Sequence, residues 1–243
     1  MEIIIPSAGR ADSVLTNVAG QILCVPESEA AAYRAANPCE IITHPALKNL
    51  AAKRQWIYEQ YPSVFMLDDD IKFISRVYTL GNNRKNHLTP EEAAQLIHAT
   101  AAAAQDADCH LYGFNRAPNP KHYNTAKPIM LTGYINACTF GLHPSEHLFF
   151  TDRTTAAESH WINLLNAYHH RKAWIDTRFH FAQAPKSTFF RPGGQTAKRT
   201  LESEKDDSLF LRAVFGNAVK LKRNRGTDAA GIHQYQRSIR IDL

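Results

Sequence analysis

Asp68, Asp69 and Asp70 close the apolar run Val64-Phe65-Met66-Leu67. Side chains alternate along a strand, so Asp68 and Asp70 leave on one side and Asp69 on the other. Two carboxylates on one side repel each other and suit a hard divalent cation bound through oxygen. The plainer reading is a solvated acidic turn. A second polar group ends the first apolar segment. There Ser7-Ala8-Gly9 lets a backbone approach a ligand closely, and Arg10 can grip a base edge or a phosphate. A third group precedes the acidic run. Asn49 and Lys53 are four apart and share a helix face, with Arg54 beside them. Read alone, Lys53 and Arg54 would be an ordinary solvated face.

Other chemistries have no support. There is no phosphate loop of the Walker A type, no G-x-G-x-x-G and no G-x-S-x-G. Cys24, Cys39, Cys109 and Cys138 are far apart and form no C-x-x-C, which argues against a disulfide framework or zinc ribbon and fits a reducing cytosol. The twelve histidines are scattered. His143 and His147 flank Pro144, which spoils a helical metal pair.

The elements that must position these groups alternate. Strands are expected at Glu2–Pro6, Gln21–Val25, Glu40–Thr43 and Ser63–Leu67, with helices at Ser28–Ala36 and from Pro45 to about Tyr61. Such alternation predicts an α/β fold, a mostly parallel sheet with helices on both faces. Ligands then bind beyond the carboxyl ends of the strands, where both the Ser7–Asp12 loop and the aspartates lie. Further on, Thr89-Pro90-Glu91-Glu92 starts a helix that runs to about Gln105. A strand is expected at Leu111–Phe114, then a polar loop over Asn115–Pro128. Strand, turn and strand follow over Ile129–Leu142. Beyond these come a helix at Thr154–His170, a strand at Trp174–Ala182, a loop at Ser187–Thr200 and a helix at Glu202–Phe215. A short strand at Ala218–Leu221 precedes a basic tail.

With 243 residues, 44% of them hydrophobic, the chain suits one domain: a core over 1–182 and a basic extension over 183–243 packed on it. No apolar run approaches the roughly 20 residues needed to span a bilayer, and the N-terminus reads as a strand, not a signal peptide. A cytoplasmic protein without a membrane partner is expected. The formal charge is +5, and from Lys186 onward twelve Lys and Arg face six Asp and Glu, so the extension holds the whole excess. Clustered positive charge suits a polyanion, nucleic acid first, or simply a solubilising face. Arg191, Lys198, Arg199, Lys222 and Arg223 are the candidate DNA contacts. Gly193-Gly194 offers backbone N–H groups to a phosphate. Tyr123, Phe189 and Phe190 could stack on a base.

Together, a first strand ending I-P-S-x-G-R, a helix bearing N-x-x-x-K-R and a strand ending M-L-D-D-D-I resemble the GT-A class of nucleotide-sugar glycosyltransferases. Within that class, the short chain and the later GGQTAKRT segment are similar to phage-type enzymes found beside TET/JBP-like DNA oxygenases. The class resemblance covers Glu2 to Asp70 and, more loosely, Gly133 to Ala182. It implies a GT-A-like fold, a nucleotide-sugar donor (a UDP-sugar), Mn²⁺ or Mg²⁺, and DNA with hydroxymethylated pyrimidines as acceptor. A protein or small-sugar acceptor, or nucleotidyl transfer, is the alternative. Asp68 and Asp70 resemble the metal-binding pair, and His180 is the candidate to complete the shell, ahead of His233. Ser7, Arg10, Asn49, Lys53 and Asp69 would hold the donor. Gly133, in Gly133-Tyr134-Ile135-Asn136, resembles the strand that lines the donor-sugar pocket. Glu158 matches the place of the acceptor's base. Ser159 stands where the family pattern has an aspartate, which leaves Asp152, or a retaining reaction without such a base, as alternatives.

Overall fold

Ile3, Ile4 and Ile5 are all buried, as expected of a strand covered on both faces. They lie in β1 (Glu2–Pro6). The computed structural model describes residues 1–78, 86–117, 119, 123–184, 194, 200–221 and 237–239. β2 (Ile22–Pro26), α1 (Ala30–Ala36), β3 (Glu40–His44), α2 (Leu50–Gln60) and β4 (Val64–Leu67) follow. After the aspartates come β5 (Ile71–Arg76), α3 (Pro90–Asp106), β6 (Leu111–Asn115), β7 (Ile129–Met130) and β8 (Thr139–Leu142). The chain then forms α4 (Glu158–His169), β9 (Trp174–Gln183), α5 (Leu201–Phe215), β10 (Val219–Leu221) and β11 (Arg237–Ile239).

Among the described residues, nine strands form one sheet with the path β3-β2-β1-β4-β8-β6-β9-β5 and β7 paired to β9. The first four strands are parallel, with Ile4 opposite both Ile22 and Met66. Beyond β4 the sheet is mixed: β8 runs antiparallel to β4 and β6, and β9 parallel to β6. Alternation sorts the strands into two cores. Ile4, Val64 and Met66 meet α2 and α4 through Ala51, Ile57, Trp161 and Leu165. Ile3, Ile5, Phe65 and Leu67 meet α1 and α3 through Tyr33 and Ile97.

Local chemistry explains where the structure departs from the pattern. The second helix begins at Leu50, not Pro45, because Asn49 caps it by accepting from Ala52 N at 2.9 Å. Ile129–Leu142 is not a hairpin: β7 joins β9, whereas β8 lies between β4 and β6. Gly141 is required in β8, since a Cβ there would sit 1.9 Å from the Tyr112 ring. β5 was not anticipated, although its I-K-F-I-S-R pattern is half apolar. It turns straight back from Asp70 and pairs antiparallel with β9, setting Ile71 opposite Gln183. The capping box at Thr89 and Glu92 starts α3 as expected.

The segment beyond residue 183 contributes to the core. Leu211 of α5 and Val219 of β10 belong to the α2/α4 cluster, and Phe210 stacks on Trp161 at 5.6 Å. Among the described residues, no helix is long and apolar enough to cross a membrane.

Candidate active site

β1 to β4 end on one side, and there the chain leaves a cavity of about 600 Å³. His44, Leu47 and Lys53 line it towards β3; Asp68, Asp70 and Glu158 line it towards β4. The strand alternation continues two residues past β4. Asp68 turns to the α2/α4 face, where its Oδ1 accepts from Arg54 Nη2 at 2.9 Å. Asp69 turns to the α1 face, where it accepts from Arg10 Nη1 at 2.7 Å and from the Ser7 hydroxyl. Asp70 rejoins Asp68, for Gln183 Nε2 lies 3.2 Å from both Asp68 Oδ2 and Asp70 Oδ1. Two carboxylate oxygens thus converge on one point, and they are the pair that could share a hard cation. Burial pushes the Asp68 carboxyl up to about 7; Arg54 opposes this, and Asp70, Asp69 and Glu158 add to it. A quarter of the Asp68 side chain still faces the cleft.

Thr16 holds this turn in place. Its hydroxyl donates to the Asp68 carbonyl at 2.6 Å and accepts from Ile71 N at 2.9 Å, while Leu15 N donates to the Asp69 carbonyl. Across the cleft, Tyr33 hydroxyl meets Ser7 Oγ at 2.7 Å and accepts from Arg10 N at 3.1 Å. Lys53 is buried and donates to the Ser7 carbonyl at 2.9 Å. Burial pushes its ammonium down to about 8, against Cys24, Glu29 and Asp69. Ser7, Arg10, Lys53 and Asp69 are therefore one connected group on the cleft wall.

The other expected residues lie in varied places. Asn49 lines the cleft, but its amide is committed to structure: besides capping α2, Nδ2 donates to the carbonyls of Asp152 and Thr154. Asp152 is on the surface, paired with Lys48 at 3.2 Å, and does not line the cleft. Glu158 does line it, 3.4 Å from Arg54 Nη1. His180 lies outside the cleft lining, with Nδ1 3.0 Å from the Asn115 carbonyl and a pKa lowered by burial. Gln183, three residues along β9, is the one that meets the aspartates. Gly133 has φ 138°, and a Cβ there would lie 3.1 Å from Ile175 Cδ1, so it serves a turn. Tyr134 beside it lines the cleft and donates to Ser159 Oγ at 2.9 Å. Ser159, in the place of the family's aspartate, thus anchors a tyrosine. Among the described residues, no three His, Cys, Asp or Glu groups are placed to hold a metal ion. Arg191, Lys198, Arg199, Lys222, Arg223, Phe189, Phe190 and His233 lie outside the described residues.

Residues 1–190 match the family model of the TET-associated glycosyltransferases. The chain belongs to that family. No curated protein matches this glycosyltransferase. Among solved structures, it is similar to a CMP:2-keto-3-deoxy-manno-octonic acid synthetase complexed with CTP. That match has 11% identity, 87% of this chain and 98% of that chain covered, and a TM-score of 0.39. It is also similar to a UDP-glucose pyrophosphorylase complexed with UDP-glucose, at 9% identity, 75% and 91% coverage and a TM-score of 0.38.

Sequence reasoning passed over three residues in and around the cleft of this glycosyltransferase. Arg54 is 1% exposed and bridges Asp68, Glu158 and the Ala137 carbonyl. Its signal was only its place beside Lys53. Gln183 stands one residue beyond the expected strand end. Asp207 of α5, itself 1% exposed, accepts from Thr155 N and Ala156 N just ahead of α4. Those N–H groups lie ahead of the α4 N-cap, Ala157, outside the helix's own hydrogen bonds, and the Asp207 carboxylate is their acceptor.

Proposed function

We propose that this glycosyltransferase moves a sugar from a UDP-sugar to a hydroxymethylated pyrimidine base in DNA, with Mn²⁺ or Mg²⁺ at Asp68 and Asp70. The observation that carries the reading is the convergence of Asp68 Oδ2 and Asp70 Oδ1 on a single atom inside the cleft. A two-carboxylate site suits an ion whose remaining ligands are phosphate oxygens and water. Such an ion, when bound, offsets charge on the departing diphosphate.

The chain's own residues account for the rest. Arg10 and Lys53 place positive charge along the donor side. Ser7 and Asp69 fix Arg10, so its guanidinium is held in position before the donor arrives. Glu158, the cleft carboxylate at the start of α4, takes the proton of the acceptor hydroxyl. Asp152, paired with Lys48 on the surface, does not serve in this reading. The family match supports DNA as acceptor, and the positive charge beyond Lys186 supplies phosphate contacts. A base inside a duplex is out of reach, so the acceptor nucleotide is flipped or single-stranded.

Mass spectrometry of nucleosides from hydroxymethylated DNA, incubated with a panel of nucleotide sugars and Mn²⁺, tests this. A hexose-sized mass gain on the hydroxymethylated nucleoside is expected. No gain with any donor, from protein that melts cooperatively, would sink the reading.

A further inference from the structure

His44 ends β3, lines the cleft and is 3% exposed. Its Nδ1 lies 2.7 Å from the Pro45 carbonyl oxygen. A carbonyl only accepts, so Nδ1 holds the ring proton and Nε2 of the neutral ring is a bare acceptor. Burial lowers the pKa of this ring, and Lys53 lowers it further, against the Pro45 carbonyl, Glu27 and Glu29; the ring stays neutral at pH 7. Nε2 is itself buried, and no described residue hydrogen-bonds to it. Folded proteins rarely leave a buried polar atom unpaired unless something bound supplies the partner. What His44 lacks is a hydrogen-bond donor.

Its place in the fold says which donor. β3 and β4 are separated by β2 and β1, three strand spacings or about 14 Å. That span is comparable with an extended nucleoside diphosphate. With the diphosphate at Asp68 and Asp70, the base falls at the β3 end. Pro26, opposite His44 in the sheet, joins Leu47 and Leu50 as apolar walls for a flat ring. Lys53 is the cation that acts on His44 and lines the same cleft. The wall thus offers an acceptor at His44 and a donor at Lys53. A pyrimidine whose ring N–H lies between two carbonyl oxygens satisfies both. Cytosine does not: its ring N3 carries a lone pair that would oppose Nε2, and its amino group would meet the ammonium.

Resting on the nucleotide-sugar reading above, we propose that His44 Nε2 accepts from the N3–H of a uracil or thymine base and so selects the donor's base. Calorimetric titration of the full chain in Mn²⁺ with UDP, CDP and N3-methyl-UDP tests it. Wild type binds UDP about tenfold or more tightly than the other two, the scale of one lost buried hydrogen bond. His44→Phe brings UDP and N3-methyl-UDP within about twofold of each other by the same argument, whereas CDP is still opposed by Lys53. Equal wild-type affinity for UDP and N3-methyl-UDP overturns the assignment of His44 but leaves the donor site standing. Discrimination between UDP and N3-methyl-UDP that survives in His44→Phe does the same. Absence of binding by any nucleoside diphosphate overturns both readings. Should His44→Phe fail to fold, ¹⁵N NMR of wild type decides: UDP moves the His44 Nε2 resonance, and a resonance that stays put overturns the proposal.

Discussion

Arg54 and Asp68 form an ion pair of 2.9 Å, 14 residues apart in sequence, with the guanidinium 1% exposed. The same guanidinium lies 3.4 Å from Glu158 and 5.0 Å from the centre of the Phe140 ring. It is the back wall of the site, tying a candidate metal ligand on β4 to the candidate base on α4. Removing one member of a buried ion pair strands the other, at about 3–5 kcal/mol. Arg54→Met should therefore lower the melting temperature markedly. Arg54→Lys keeps the charge but not the fork that reaches both carboxylates. It should fold, yet lose about 10²-fold in turnover, the scale of a 1 Å misplacement at a reacting centre. An Arg54→Lys enzyme with wild-type turnover would mean that the bridge does not position the site.

Asp70 separates binding from folding. It shares Gln183 with Asp68 and, unlike Asp68, makes no ion pair with Arg54. Asp70→Asn should leave the melting temperature without ligands near that of wild type. Linkage at a free-ligand concentration of 100 times Kd is worth about 2.7 kcal/mol. For a chain of this size that is a rise of about 5–10 °C with Mn²⁺ and UDP in wild type. Asp70→Asn should lose most of it. Thermal melts with and without both ligands measure the difference, and an undiminished rise in the variant rules Asp70 out as a ligand.

Why the aspartates were legible and Arg54 was not is a matter of sequence distance. An apolar strand ending in three carboxylates announces itself within seven residues, and alternation alone separates Asp69 from its neighbours. Nothing local says that α2 buries Lys53 and Arg54, since the partners that make burial tolerable come from β4 and α4. Gln183 meets Asp70 across 113 residues, through a β5–β9 pairing that the reading did not include. His180 has the apolar neighbours of a core histidine, and its ring bonds a backbone carbonyl. The parallel first half of the sheet was readable because each strand is bounded by turn residues. The second half was not, because β7 and β8 are short and pair with strands far along the chain.

α5 lies beyond residue 190, where the family match ends, yet Asp207 fixes the approach to the Glu158 helix. Its carboxylate is 2.7 Å from Ala156 N and 2.9 Å from Thr155 N. Asp207→Ala removes the carboxylate acceptor of two part-buried N–H groups, at about 1–3 kcal/mol. A melting temperature lowered by several degrees and reduced transfer activity are expected together. Asp207→Asn retains one acceptor oxygen and should lose less of each. Wild-type stability and turnover in Asp207→Ala would show that α4 holds its own start.

A second cluster, away from the cleft, sets an acid limit. The rings of His110 and His170 lie 4.1 Å apart, and those of His147 and His169 4.4 Å apart. Burial pushes His170 down to about 4, His110, His147 and His169 push the same way, and Asp108 opposes them. A histidine depressed in the fold takes its proton first in the unfolded chain, near pH 6.5. Stability from this group is therefore present above about pH 6.5 and lost as pH falls towards 4. Asp68, raised to about 7 in the fold, works in the opposite direction over much of the same range. Comparison with His170→Asn cancels the Asp68 contribution, because both proteins carry it. Between pH 7 and pH 4.5 the melting temperature of wild type should fall further than that of His170→Asn. Parallel curves for the two proteins across that range would remove His170 from the account of acid stability.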